Sequence, residues 1–359
     1  MKIAIEKSCY IVIDSGFSLE SLRDAKVLAV RDLAHGVTIL GAPYVSMDDL
    51  QSFAQDPLNH GSVVLEKLRS LAPEIPVILI RVIGEDGRII RTRWSEGKLV
   101  SGGWTEAYIW AVELCKQLGL ASVAICSFGG IIHAADGTGW ESHQVAQVTG
   151  AGKAGHVLVA ASGPGDGRSV HASWITQPGA TKWVEAKQSE STTYNFWAAS
   201  PHQEWWLTAR LNGEVVGRFE GSGLDGNMWN QRQQLTFDIE GDGDVAFEFT
   251  LSANAQSAIR CDCWVRGENS SRFLNYIDAR LVVEPAVFPQ VIAAGLRSGS
   301  YSPDQYEPDA KPDVLVDGEG PISFRTPEVT AAVARLLSAD PTLDVVQVRQ
   351  LLRKSHPKQ

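Results

Sequence analysis

Residues 311–329 read K-P-D-V-L-V-D-G-E-G-P-I-S-F-R-T-P-E-V, and an amphipathic helical pattern runs on from there to about residue 339. Ser323 stands just before that pattern and Pro327 falls within its first turns. A serine at such a junction has two physical advantages. The free backbone N–H groups of a helix start can stabilise an oxyanion. A sharp turn also holds the hydroxyl out toward a partner. Taken alone, Ser323 reads first as a plain N-cap, since serine is among the preferred capping residues. The rest of the chain changes that weighting.

Outward from this stretch the chain alternates strands and helices. C-Y-I-V-I-D at 9–14 is a short apolar run ending in Asp14-Ser15-Gly16, a buried strand closed by a turn. K-V-L-A-V-R-D at 26–32 is a second strand. A short polar segment at 46–53 and D-P-L-N-H-G at 56–61 lead to a helical pattern over 62–71. E-I-P-V-I-L-I-R-V-I at 74–83 is nearly continuous in apolar residues, as in a parallel sheet covered on both faces. A helix over 105–119 has Thr105 at its cap and Gly119 at its end. Strands at 121–126 and 156–161 flank a helix expected over 140–153. The same style resumes at 289–296, and the last helices run from 326 to about 339 and from 343 to about 353. The pattern predicts an α/β fold with a mainly parallel sheet flanked by helices.

Between about 168 and 285 the style changes. W-W-L-T-A-R-L at 205–211, Q-L-T-F-D-I at 234–239 and V-A-F-E-F-T-L at 245–251 alternate, with turn signals at Asn212-Gly213 and Gly241-Asp242-Gly243. This reads as an inserted all-β sandwich. The expected organisation is a first α/β part over 1–167, the sandwich over 168–286, and a second α/β part over 287–359 that carries Ser323. Seven of the eleven tryptophans lie in the middle segment. They either fill the core of a small sandwich or form a carbohydrate- or peptide-binding face, and the sequence does not separate the two.

The formal charge of −10 argues against a nucleic-acid surface. No window is apolar enough to span a membrane. The opening M-K-I-A-I-E-K-S-C-Y-I-V-I-D has no basic leader and no cleavage site. The five cysteines are scattered and odd in number, so a disulfide framework is not expected. Cys261 and Cys263 would share one face of a strand, which binds metal only with further ligands nearby. Together these features predict a cytoplasmic protein without a metal site. They leave the oligomeric state open.

Three residues carry the chemistry. Asp14 ends the first strand, His60 begins a helix, and Ser323 precedes a late one. Acyl transfer needs a nucleophile, a base to take its proton, and an acid to orient the base. One sheet edge could hold all three, and the chain order Asp, His, Ser is that of the subtilisin type.

At these residues the chain resembles the subtilase family of serine peptidases. Y-I-V-I-D-S-G is similar to the family's aspartate motif. N-H-G-S-V-V is similar to its His-Gly-Thr-His-Val-Ala motif, with Val63 at the second histidine. S-F-G-G at 127–130 resembles the strand beside the substrate cleft. K-P-D-V-L-V-D-G and S-F-R-T-P-E-V resemble the Lys-Pro-Asp-Val stretch and the Gly-Thr-Ser-x-Ala-Ala-Pro serine motif, with Pro321-Ile322 in place of Gly-Thr. The matches cover about 1–166 and 288–355, in family order.

The resemblance implies a subtilisin-like sheet and a serine endopeptidase working through an acyl-enzyme, slow or narrow in specificity, on peptide or protein substrates. Ser323 would be the nucleophile, His60 the base and Asp14 its orienting acid. Ser127, Phe128, Gly129 and Gly130 would bind an extended peptide. The family's oxyanion asparagine is replaced by Pro164, which has no donor. Asp166, if protonated, or Asn59 could substitute. No cofactor is expected; calcium is common in the family, and no site is assignable. The alternative is a catalytically impaired subtilase fold that binds peptides or proteins. His35 in D-L-A-H-G could compete with His60, but its context is a surface loop and it reads as structural, as do His133, His143 and His156, which lack partner spacing. Gly150-Ala151-Gly152 precedes a strand, the wrong order for a phosphate loop. Residues 240–244 read as a hairpin tip rather than a calcium loop.

Overall fold

A strand that is buried at every position is covered on both faces. In a computed structural model, which describes residues 7–84, 87–90, 93–95, 98–101, 103–130, 136–163, 169–198, 203–221, 232–266, 271–278, 282–297 and 311–355, four such strands form the centre of one sheet. The chain begins β1 (Ser8–Asp14), α1 (Leu19–Leu22), β2 (Val27–Asp32), β3 (Val37–Leu40), α2 (Met47–Phe53), α3 (His60–Leu71) and β4 (Val77–Arg81). It continues β5 (Arg93–Ser95), β6 (Lys98–Ser101), α4 (Gly103–Gln117), β7 (Ala121–Cys126), α5 (Trp140–Val145) and β8 (His156–Ala161). After a long all-β excursion come β18 (Val291–Leu296), β19 (Val314–Val316), a short 3₁₀ turn η1 (Ile322–Phe324), α6 (Thr326–Ala339) and α7 (Val345–Ser355).

The main sheet has the order β19-β18-β8-β7-β1-β4-β2-β3. All its pairings are parallel except that of β3 with β2. Successive residues of a strand face opposite sides. Tyr10 and Val12 of β1 therefore join one core with Leu65 and Leu68 of α3, Val333 and Leu337 of α6, and Val348 of α7. Cys9, Ile11 and Ile13 join the other with Trp104, Tyr108 and Val112 of α4 and Val145 of α5. Each such apolar side chain, fully buried, contributes roughly 1.5–3 kcal/mol.

The excursion comprises β9 (His171–Thr176), β10 (Thr181–Gln188), β11 (Thr192–Ala198), β12 (Trp205–Leu211), β13 (Glu214–Glu220), β14 (Gln233–Ile239), β15 (Gly243–Leu251), β16 (Ile259–Arg266) and β17 (Arg272–Phe273). They form two antiparallel sheets, β13-β12-β15-β10-β17 and β14-β11-β16-β9, over a shared aromatic core. Trp174, Trp197, Trp205 and Trp264 are buried, whereas Trp183 and Trp206 are exposed. Cys261 and Cys263 do share a face, and it is the inner one. Asn212 and Gly213 turn β12 into β13 with φ of 51° and 87°, the left-handed pair that a two-residue hairpin requires.

Three local expectations differ from the structure. The helix over 140–153 stops at Val145, and turns follow, with Gly150 and Gly152 at φ of 135° and 73°. Thr105 is not a cap; α4 begins at Gly103, and Thr105 is a buried position inside it. The polar segment at 46–53 is itself a helix, capped by Ser46 Oγ, which accepts the Asp49 N–H at 3.2 Å.

Candidate active site

Asp14 is the last residue of β1, between Arg81 of β4 on one side and the end of β7 on the other. Its carboxyl therefore emerges at the C-terminal edge of the sheet, where open α/β sheets bind ligands. Two residues later the chain must turn tightly beneath the start of α3. A Cβ on Gly61 would lie 2.2 Å from the Gly16 carbonyl oxygen and 2.9 Å from Asp14 Cβ, so only glycine lets the helix come this close. Asn59 is the N-cap in the left-handed conformation (φ 50°), with no side-chain cap bond. His60, the first helical residue, thereby reaches Asp14.

The contact is direct. His60 Nδ1 lies 2.7 Å from Asp14 Oδ1, which also accepts the Ser15 N–H at 2.7 Å. Asp14 is 2% exposed. With Nδ1–H donating to the carboxylate, Nε2 is left as the basic nitrogen. Burial disfavours the imidazolium, but the Asp14 carboxylate, with Asp56 behind it, outweighs burial and lifts His60 above the ordinary histidine value.

Asp56 is the residue that sequence reasoning missed. Its Oδ1 accepts from Ser15 Oγ at 2.6 Å, and its Oδ2 accepts the Ser62 N–H at 2.8 Å and Ser62 Oγ at 2.6 Å. Ser15 Oγ in turn accepts the Gly61 N–H at 3.1 Å. One carboxylate thus ties the turn after β1 to the first turn of α3, an anion where free helical N–H groups favour it. The available signal was an acidic residue just ahead of a helix start.

Ser323 lies in η1, half-buried. The N-cap of α6 is Arg325, so Ser323 is not the cap. Ile322 is buried and its carbonyl accepts Thr326 Oγ1 at 2.9 Å, anchoring the turn to α6. Phe324 places its ring 5.1 Å from the His60 imidazole at 35°. The turn bearing Ser323 therefore packs on His60 through its neighbour. Among the described residues no hydrogen bond joins Ser323 to His60; catalytic hydrogen bonds are often long in unliganded sites and tighten with substrate.

Residues 127–130 follow β7 at the same sheet edge. Ser127 is buried, and its Oγ has no hydrogen-bond partner. Phe128 turns its ring onto Trp104, 6.0 Å away and edge-on, so it packs against the core beneath α4. Gly130 and Glu284 exchange backbone hydrogen bonds of 3.0 and 3.1 Å. Asp166 and Pro164 lie outside the described residues, and Asn59 is exposed.

The other described histidines sit elsewhere. His35 Nδ1 is 2.8 Å from Asp32, beside Arg81. His156 Nδ1 is 2.9 Å from Ser122 Oγ, and burial, with Lys116 nearby, pushes its pKa down to about 4. His133 lies outside the described residues. Among those residues no group of three or more His, Cys, Asp or Glu side chains is placed to hold a metal ion. No described helix is long and apolar enough to cross a membrane.

No protein-family model matches the chain, and no curated protein matches its sequence. Solved structures resemble its fold. The CspB protease of Clostridium perfringens superposes with a TM-score of 0.68, at 15% identity, over 99% of this chain and 88% of that one. A cold-adapted subtilisin-like serine proteinase gives a TM-score of 0.44, at 13% identity, over 98% of this chain and 83% of that one. The mixed α/β architecture around a large, mainly parallel sheet is that of the subtilisin-like protease fold.

Proposed function

We propose that the chain is a serine endopeptidase in which Ser323, His60 and Asp14 act together. The observation that carries the reading is the 2.7 Å His60–Asp14 contact at the C-terminal sheet edge, with the Ser323 turn resting on the same imidazole. Ser323 Oγ attacks the scissile carbonyl carbon while His60 Nε2 takes its proton. The tetrahedral intermediate collapses as His60 returns that proton to the leaving amine, giving an acyl-enzyme and the first product. Water, deprotonated by the same nitrogen, then releases the acyl group. Asp14 holds the ring in the Nδ1–H tautomer and stabilises the imidazolium at each step. The Ser323 N–H, in the middle of η1, is the backbone donor for the oxyanion; Asn59 and Asp166 are further candidates for that role. Loss of one oxyanion donor costs on the order of 100- to 1000-fold, so turnover is slow if Pro164 stands in a donor's place. Peptide or protein is the substrate.

Labelling with a fluorophosphonate probe tests this. The wild-type protein is expected to label, and Ser323→Ala and His60→Ala to lose labelling by on the order of 10⁴-fold or more. Folded wild-type protein that stays unlabelled between about pH 4 and 9 overturns the reading. The alternative, peptide binding without turnover at the same edge, would then take its place.

A further inference from the structure

We propose that the outer face of the sheet β13-β12-β15-β10-β17 is a binding site for a neutral, linear oligosaccharide, held on Trp183 and Trp206. The proposal stands on the sandwich alone and draws nothing from the endopeptidase reading.

Residues directly opposite each other on neighbouring strands point to the same face. Trp183 of β10 stands opposite Glu248 of β15, and Glu248 stands opposite Thr208 of β12. Thr250, two residues along β15, stands opposite Thr181 on one side and Trp206 on the other. These six side chains therefore share one face. The residues that alternate with them, among them Val184, Leu207, Phe247 and Phe249, fill the aromatic core. Among the described tryptophans of the sandwich, Trp174, Trp197, Trp205 and Trp264 are at most 4% exposed, whereas Trp183 and Trp206 are 46% and 43% exposed. The core thus accounts for four indoles and leaves two in water on the same face. Two strand spacings and one two-residue step separate them, about 12 Å between Cα atoms.

The side chains around the two indoles select the ligand. Glu248 and Thr250 lie between them, so the apolar surface is broken, whereas a protein or lipid partner needs a contiguous apolar patch. The cations of the face are matched. Lys187 lies 3.3 Å from Asp244, and Arg210 donates to Glu248 at 3.3 Å. On a chain of formal charge −10, such a face gives a polyanion no attraction. A neutral sugar suits both features. A pyranose ring with equatorial hydroxyls has an apolar C–H face, which stacks on the electron-rich face of an indole. Its rim of hydroxyls takes hydrogen bonds from a guanidinium and gives them to a carboxylate, and Arg210 and Glu248 offer one of each between the indoles. The platform is formed in advance. Arg210 Cζ lies 5.9 Å from the centroid of the Trp183 ring and steadies it. Asn275 fastens the same stretch of β10, donating to the Trp183 carbonyl at 3.2 Å and accepting the Glu185 N–H at 2.9 Å.

Titration calorimetry on the full chain tests this, with cellohexaose, xylohexaose and chitohexaose as neutral probes and an oligogalacturonate as the anionic one. The variants are Trp183→Ala, Trp206→Ala, the double variant and Trp183→Phe, each with its thermal unfolding measured. Wild-type protein is expected to bind at least one neutral hexasaccharide, and either alanine substitution to weaken that binding by roughly 10-fold or more. The double variant is expected to show none, and Trp183→Phe, which keeps a ring to stack on, to lose less than Trp183→Ala. Three results overturn the proposal: no neutral hexasaccharide binds, folded alanine variants bind as tightly as wild type, or the oligogalacturonate binds as well as the neutral probes. Sedimentation velocity supplies a fourth. An oligomer of the wild type that the double variant dissolves would make this face a contact between copies of the chain. Fluorophosphonate labelling of the double variant is expected to match wild type, so the sugar site and the endopeptidase reading stand or fall separately.

Discussion

The residue on which the proposed chemistry turns is His60, because two carboxylates compete with burial over its proton. Asp14 at 2.7 Å and Asp56 behind it favour the imidazolium, so the folded chain holds that proton above the ordinary value of about 6.5. The neutral ring is the active base. The rate of fluorophosphonate labelling is therefore expected to rise with pH through a midpoint above about 6.5. The stability sign is opposite. A histidine whose pKa is raised on folding stabilises most below its unfolded value and loses that contribution as pH rises through the folded one. Asp14→Asn removes the nearer carboxylate, so burial gains and the midpoint moves down. The plateau drops on the order of 10⁴-fold, because the tautomer is no longer fixed. A rate–pH profile of both proteins checks this; a midpoint unmoved by Asp14→Asn separates His60 from Asp14.

At the scale of elements, the start of α3 is built by one carboxylate, and that makes it vulnerable. Asp56→Ala removes the acceptor for Ser15 Oγ, the Ser62 N–H and Ser62 Oγ. Hydrogen bonds to charged groups contribute about 1.5–3 kcal/mol each in isolation, and three sharing one carboxylate are not additive, so a loss of about 2–4 kcal/mol is expected. Denaturant unfolding measures that loss, and slower labelling at constant pH would show that His60 has lost its placement. The helix itself was legible, since D-P-L-N-H-G ahead of V-V-L-E-K-L-R-S-L is a start signal followed by a helical period. The Asp56 bonds were not, because Ser15 lies 41 residues away in sequence. β3, V-T-I-L at 37–40, escaped notice because it is only four residues long and most of its positions are exposed.

For the whole molecule, local pattern carried the strands and their mainly parallel character, whereas their order in the sheet was not legible. Parallel pairing joins strands far apart in sequence, so nothing in C-Y-I-V-I-D or H-V-L-V-A-A alone says that both lie beside β7. The K-P-D stretch shows how such a sheet is closed at one edge. Asp313, 1% exposed, accepts the Ala293 N–H of β18 at 2.9 Å and pairs with Lys311 at 2.7 Å, Arg349 at 2.9 Å and Arg353 at 3.1 Å. Arg349 also donates to the carbonyls of Pro289 and Val291 at 2.7 and 3.1 Å. One carboxylate therefore joins the β18–β19 edge to α7, and its neighbours hold its pKa down although burial works against the charge. Asp313→Asn keeps the shape and removes the charge, leaving three cations facing one another. Breaking a buried pair from one side typically costs about 3–5 kcal/mol, and that loss is expected in denaturant unfolding. Arg353→Gln, which leaves Asp313 two partners, is expected to cost much less. Because Asp313 is almost fully buried, raising the salt concentration should change the difference between Asp313→Asn and wild type little. A small cost for Asp313→Asn, or one that salt erases, would mean that α7 is held by its apolar face alone.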